Sequence, residues 1–454
     1  MDSAAPQDKH RRPTIWQLAL PSIASNLMFS TVAMIQTKFV GGMGASSVAA
    51  VGAGQRVFFA LQALLMAIGV GTTALVARAW GAGEREEASR ITSSSLMLGA
   101  FVGLLIMVFG MTCSHQIAGL FGLDPATEQL AARNIFWLAT FIIGFAIDII
   151  LSSALRAAGN AFTPLLFGLA VNLVNLPLLY AFILGRFGAP RMGPAGAPFA
   201  SGLSFVFCGA VLVFLWMRQK LTIKFVAGDL FKRARYSRLL HIGYPVALEQ
   251  IVLQAGFFLF LTLIGRYYGT EAFAAYNVGV NMLNAAMVVG FGFSIAGSTL
   301  VGQHLGANEV EAAARSGWRA CTMAVAAMTL IGMVVVINAP SLAKFFLGSD
   351  QLAVLRTTEF TYIMAAMLPL LGVDMAIGGS LRGAGDTRFP LMSSFLGLIG
   401  MRCGLAALFA VFHLPVIWVY STIIGDYMLK GSLLIWRFKS GRWKHAMLKR
   451  AVAV

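Results

Sequence analysis

Residues 148–164 read DIILSSALRAAGNAFTP, and residues 374–390 read DMAIGGSLRGAGDTRFP. Each opens on an acid inside apolar sequence, continues to Leu-Arg and then Ala-Gly, and closes on Pro. Arg156 and Arg382 are thereby separated by half the length of the chain. Two more pairs keep the interval almost to the residue. Gly81 in GTTALVARAWGAG matches Gly306 in AGSTLVGQHLGAN, and Pro21 in ALPSIASNLM matches Pro245 in GYPVALEQIV. Three matches in one order predict two copies of a single unit, with the centre of the molecule where the copies face each other.

Composition says what the units stand in. Apolar residues make up 58% and charged residues 11%, with a mean hydropathy of +0.78. A water-facing surface is built from roughly twice that share of charge, so most of this chain faces lipid. An apolar run of about 20 residues crosses a ~30 Å hydrocarbon layer as a helix. The predicted spans are 14–40, 49–78, 91–112, 130–156, 160–184, 194–217, 238–265, 272–303, 315–338, 357–382, 388–411 and 413–437. The fold class is therefore an all-α polytopic membrane protein with about twelve transmembrane helices in two pseudo-symmetric six-helix bundles. The chain divides into an N-terminal lobe, 1–217, a basic connection, 218–237, and a C-terminal lobe with a basic tail, 238–454.

The formal net charge of +16 is explained by topology, not by nucleic-acid binding, because the basic residues lie between apolar runs and at the termini. Placing the N-terminus inside puts Lys9, Arg11, Arg12, Arg78, Arg85, Arg90, Arg156, Arg382, Arg388 and the whole RQKLTIKFVAGDLFKRARYSR connection on the cytoplasmic side. The opposite side receives only Lys38, Arg133, Arg186, Arg191, Arg266, Lys344 and Arg356. Both termini are then cytoplasmic, and the connection is expected to lie on anionic lipid. The first apolar run continues through Phe29 with no small-residue cleavage site, which predicts a retained helix. Cys113, Cys208, Cys321 and Cys403 have no ligand spacing and read as buried thiols. There is no phosphate loop, nucleophile constellation or metal-enzyme cluster, so the expectation is a non-enzyme without a cofactor.

Function then rests on polar groups set in apolar sequence, since a charge in hydrocarbon must be paired, wetted or protonated. Asp148 and Asp374 are symmetry mates about two turns before Arg156 and Arg382, a separation that argues against direct pairing. Asn172 or Asn175 is the better partner for Asp148 by position. Asp148 itself admits a structural or a coupling reading. Glu249, with Gln250 and Gln254, follows Pro245, which is expected to open the helix locally and expose carbonyls to a cation. Glu249, Asp374 and Asp148 are thus the candidate cation-coupling groups, with Na⁺ near Glu249 and Asp374 as the one metal to consider. The candidate cavity residues are Gln36, Asn26, Gln254, Asn172, Asn175, Tyr276 and Arg402; the alternative for the amides is helix packing. Arg56, Arg402, His413 and Asp426 complete the buried polar set, with neighbouring turns able to join His413 to Asp426. Phe58, Phe59, Phe257, Phe258, Tyr276, Phe291 and Phe293 offer a soft lining for organic cations, or face lipid.

Taken together, Ala19-Leu20-Pro21, Val40-Gly41-Gly42-Met43-Gly44, Gly81, the doubled Leu-Arg-x-Ala-Gly-Asn/Asp and Pro245 with Glu249-Gln250 resemble the multidrug and toxic compound extrusion family. The likeness runs from about residue 14 to residue 437. The wider superfamily also contains lipid-linked oligosaccharide flippases. The resemblance implies a two-lobe antiporter of the bacterial cytoplasmic (inner) membrane. It would export amphipathic, often cationic compounds against inward H⁺ or Na⁺, functioning as a monomer among membrane lipids. A flippase or exporter of a lipid-linked precursor or natural product is the alternative. One branch of the family uses an Asp immediately before the position of Thr37, where this chain has Gln36, an amide that cannot carry a proton. Another branch uses acids in helices seven and ten; its helix-ten Asp matches Leu371, with Asp374 one turn later.

Overall fold

The first helix begins where the sequence supplies a cap. In the computed structural model, which describes residues 12–226, 228, 231–347 and 351–445, Thr14 Oγ1 accepts from the Gln17 amide while Gln17 Oε1 accepts from the Thr14 amide. This reciprocal cap starts α1, Ile15–Gly41. Lys9, Arg11, part of the connection and the tail after residue 445 lie outside the described residues. The chain continues through α2, Ala45–Gly81; α3, Arg85–Gly119; α4, Pro125–Thr140; α5, Ile142–Ala157; α6, Phe162–Leu184; and α7, Gly196–Met217. Then follow α8, Arg233–Gly306; α9, Val310–Leu347; α10, Gln351–Gly383; α11, Arg388–Ser394; α12, Gly404–Val411; and α13, Val416–Lys439. A nine-residue π-helix, Phe395–Cys403, joins α11 to α12.

Among the described residues ten helical segments are long and apolar enough to cross a membrane, α8 supplying two of them, Arg233–Gly269 and Ala286–Gly306, and the pair α4 and α5, bent by 46°, makes an eleventh. Helix α13 has the length, 24 residues, but carries Asp426 and Lys430 on a buried face, so composition alone passes it over. Length and composition thus support ten or eleven spans where about twelve are expected, with α13 the twelfth by length alone, and there is no strand among the described residues.

The duplicated motif has a backbone cause. Gly159 and Gly385 stand at φ +92° and +84°, the left-handed turn that ends α5 and α10. In each, the next amide reaches back to the Leu of the motif: Asn160 to Leu155 and Asp386 to Leu381, both at 2.9 Å. Helix α8 runs unbroken through Pro245, and its non-helical residue is Gly269, φ +79°. The local opening expected at Pro245 does not occur: the residues on both sides of this buried Pro keep helical geometry. The helix also starts at Arg233, earlier than the 238 expected.

The main apolar core spans both copies. Ile15, Leu18, Ala19 and Ala161 pack with Phe293, Ala296, Leu300 and Val301, and Trp16 meets Phe293 edge-on at 5.6 Å.

Candidate functional site

Four of the buried polar groups singled out from sequence, Glu249, Asp374, Arg402 and Asp426, gather in the second copy with Arg382 of the duplicated motif and with Lys430. Helix α8 presents Glu249, 3% exposed, to the end of α10, where Arg382 Nη2 donates to Oε1 at 2.6 Å and Nε to Oε2 at 3.4 Å. Ser394 Oγ at the end of α11 donates to the same Oε1 at 3.0 Å. Direct pairing of an acid with Arg382 does take place, then, but through Glu249 and not Asp374. The two-turn spacing along α10 holds Asp374 away, while α8 brings its carboxylate to the guanidinium.

A second knot lies deeper. The π-helix carries Arg402 inward, with Nε 3.4 Å from Asp426 Oδ2, and Lys430 Nζ sits 3.0 Å from Asp426 Oδ1 one turn along α13. All three side chains are at most 3% exposed. Arg402 lies over the rings of Phe257 and Phe260 at 5.5 and 5.3 Å, and Lys430 over Tyr427 at 4.8 Å. An ion pair so dry survives only with each charge matched and surrounded by polarisable groups. Asp374 lies between the knots. The charges acting on it are Lys430, Arg382, Glu249 and Asp426, and among the described residues no hydrogen bond or ion pair engages its carboxylate.

The first copy is quieter. Asp148 accepts from Ser152 Oγ at 3.0 Å, one turn along its own helix, and Arg156 is the charge that acts on it. The expected Asn partners are elsewhere: Asn175 Nδ2 donates to Ser201 at 3.3 Å, and Asn172 Nδ2 is buried without an acceptor. Counted from the matched prolines, Glu249 corresponds to Ser25, whose hydroxyl bonds the Pro21 carbonyl of its own helix.

Several cavity candidates are enclosed. Tyr276, 4% exposed, packs against Phe260 and Phe360, and Arg402 is consumed by Asp426, so neither presents a free surface. Asn172 and Asn175 are both 5% exposed. Gln36 and Asn26 are partly open and Gln254 is exposed, although Asn26 donates its amide to the Ser22 carbonyl. His413, exposed in a left-handed turn, does not approach Asp426, which has taken Lys430 and Arg402 instead. Lys430 was the residue missed. An acid and a Lys four apart on one helix were the available signal.

The two copies are sealed together at the end that bears both described chain ends. Gly81 lies against the Gln303 carbonyl and Gly306 against the Arg78 carbonyl, where any β-carbon would collide. Gln303 Nε2 donates across the seam to the Ala157 carbonyl at 2.7 Å. Two ion pairs flank the seam. Arg12, just before α1, holds Glu309 between α8 and α9, with Nη2 to Oε1 at 3.1 Å; His304 Nδ1 lies 2.8 Å from Glu309 Oε2. Arg235, at the start of α8, holds Glu87 at the start of α3, with Nη2 to Oε2 at 2.9 Å. The connection expected on lipid therefore leads into a buried guanidinium bound to the first copy. The Arg12 guanidinium, then His304, keep the Glu309 carboxyl well below its usual range, at about 2.

Comparison with known proteins places this architecture. The MatE family profile matches the chain twice, over residues 21–181 and 245–408. A probable multidrug resistance protein NorM of Thermotoga maritima is 28% identical over 446 residues, covering 97% of this chain and 95% of its own length. A probable multidrug resistance protein YoeA of Bacillus subtilis is 24% identical, covering 98% and 97%. Among solved structures, a MOP superfamily transporter from Pyrococcus furiosus superposes with a TM-score of 0.89 at 20% identity, over 95% of this chain and 96% of that one. A Vibrio cholerae MATE transporter, VcmN, in its bent form gives 0.87 at 22%, over 95% and 97%.

Proposed function

The chain belongs to the MatE family of membrane transporters, and on that footing we propose that it is a secondary active antiporter, exporting amphipathic or cationic organic compounds against inward H⁺ or Na⁺. The names of its NorM and YoeA relatives support export of drug-like compounds. The observation that carries the mechanism is the seal between the copies. Symmetry-matched glycines, flanked by two ion pairs, close one end of a two-fold assembly, and a carrier that exposes its site alternately needs one end shut at a time. In this reading residues 1–217 and 238–454 are the two moving lobes, joined by 218–237. The membrane is the bacterial inner membrane, both termini are cytoplasmic, and one chain is the working unit.

Coupling is assigned to the second lobe. Glu249 is locked to Arg382 in this closed state, and Asp374 is the acid with no committed partner. A cation arriving at Asp374 changes the balance among the six charges and so the relative stability of the two states. Helix α8 carries Glu249 of this site as well as Gln303 and Gly306 of the seal, so coupling and closure share an element.

The test is efflux of a fluorescent organic cation from proteoliposomes under an imposed cation gradient at fixed membrane potential. The wild-type chain exports the dye, and Glu249→Gln or Asp374→Asn loses gradient-driven export. Full gradient-driven export by both variants rejects the assignment.

A further inference from the structure

We propose that Lys430 is a tethered cation standing where a coupling metal ion would otherwise bind, and that its presence excludes Na⁺ from the second lobe. The inference rests on the reading of that lobe as the coupling site, and decides between the two ions that reading leaves open.

The donor set does not fit Na⁺. A hard metal ion needs a shell of several oxygens turned toward one point. Here Glu249 gives both oxygens to Arg382, with Ser394 also on Oε1. Asp426 accepts from Lys430 through Oδ2 at 3.3 Å, with the same ammonium 3.0 Å from Oδ1 as an ion pair and Arg402 Nε 3.4 Å from Oδ2. Among the described residues no three His, Cys, Asp or Glu side chains gather in a way that could hold a metal. Counted together, Glu249, Asp374 and Asp426 are balanced by Arg382, Arg402 and Lys430, so a further fixed positive ion meets no net negative charge.

Lys430 is built into this place. It is 3% exposed, and its ammonium is held between Asp426 and the face of Tyr427. The π-helix leaves Gly397 against the pair, where a β-carbon would strike both Asp426 Oδ1 and the Lys430 chain. The backbone is thus shaped around the ammonium. Asp374, on α10, is the one carboxylate of the three that no hydrogen bond or ion pair engages among the described residues. Such a carboxylate still accepts a proton, which needs one oxygen and no shell. The proton is then the ion left for coupling.

The experiment reads Na⁺ binding without any transported compound. The purified full chain is heated in graded NaCl, with choline chloride replacing it at constant ionic strength. Wild type shows no Na⁺-specific rise in unfolding midpoint. Lys430→Met gains a saturable, Na⁺-specific rise, and Asp374→Asn added to it removes the gain. Lys430→Gln, whose amide still donates to Asp426, is carried in parallel in case the Met variant does not fold. A saturable Na⁺-specific rise in wild type, abolished by Asp374→Asn, overturns the proposal, as does the absence of any rise in both Lys430 variants. Failure of dye export in liposomes would instead count against the exporter reading and leave this result standing.

Discussion

Gly81 and Gly306, one position in the two copies, make the same contact with each other's helix: Gly81 on the carbonyl of Gln303, Gly306 on the carbonyl of Arg78. Arg78 and Gln303 are matched positions in turn, each one helical turn before the glycine of its own helix, so the two contacts are copies of one another. Backbone meets backbone here because neither glycine has a side chain to hold the helices apart.

Adding a methyl group at either glycine therefore pushes the lobes apart at this end. Gly306→Ala is expected to disfavour the sealed state by about 1–3 kcal/mol, the usual cost of overpacking a tight contact. Spin labels placed across the seam would report a longer mean distance than in wild type. An unchanged distance distribution would show that the glycines are not the closest approach.

The flanking ion pairs differ in depth, and their deletion should differ accordingly. Arg235 is 4% exposed against 30% for Arg12. Arg235→Ala leaves Glu87 without its bidentate partner and should weaken the seal by roughly 1.5–3 kcal/mol, while Arg12→Ala should do less. Amide hydrogen exchange at the starts of α3 and α8 measures the first effect. Equal protection in the two variants would remove the distinction.

Glu309 supplies a pH prediction whose sign is fixed. Its carboxyl is ordinary, near 4.5, when the seal is open and about 2 when Arg12 and His304 hold it. The pair's contribution is complete above about 4.5 and fades only as pH falls through about 2. Seal strength, followed by thiol labelling beside Gly306, should be indifferent to this group across the neutral range. A neutral-range dependence that persists in His304→Gln would contradict this assignment.

Glu249 and Arg382 test the interior. Arg382→Met strands a carboxylate that is 4% exposed, and is expected to cost about 3–5 kcal/mol, the range for breaking a buried pair from one side. Glu249→Gln keeps a group able to hydrogen-bond Ser394 and Arg382 and should cost less. Chemical unfolding of the two variants in the same detergent orders them. Arg382→Met as stable as wild type would mean that water reaches the pair.

Much of this was legible in the chain before any coordinates, because duplication leaves identical marks. The motif around Arg156 recurs around Arg382 with the same left-handed glycine, and Gly81 recurs as Gly306 at the centre of the seam. The hydrocarbon length set the spans. Side-chain partners were harder to read, because each was chosen by a helix distant in sequence. Glu249 reached Arg382 across 133 residues, and Arg235 reached Glu87 across 148. Local spacing had ruled out an Asp374–Arg382 pair without revealing what replaced it. The π-helix that turns Arg402 inward has no sequence mark that periodicity detects. Lys430, by contrast, stood four residues after Asp426 and was open to notice.

The most direct test of alternating access is to fix the sealed end shut. Ala82 and Ala307 each follow one of the seam glycines, and a short thiol-reactive crosslinker between cysteines placed at both would lock the lobes. Crosslinked protein in liposomes is expected to lose gradient-driven export of the dye, and a cleavable linker to restore it on cleavage. Export at the wild-type rate with the seam crosslinked would contradict the account, because the compound would then pass without this end ever opening.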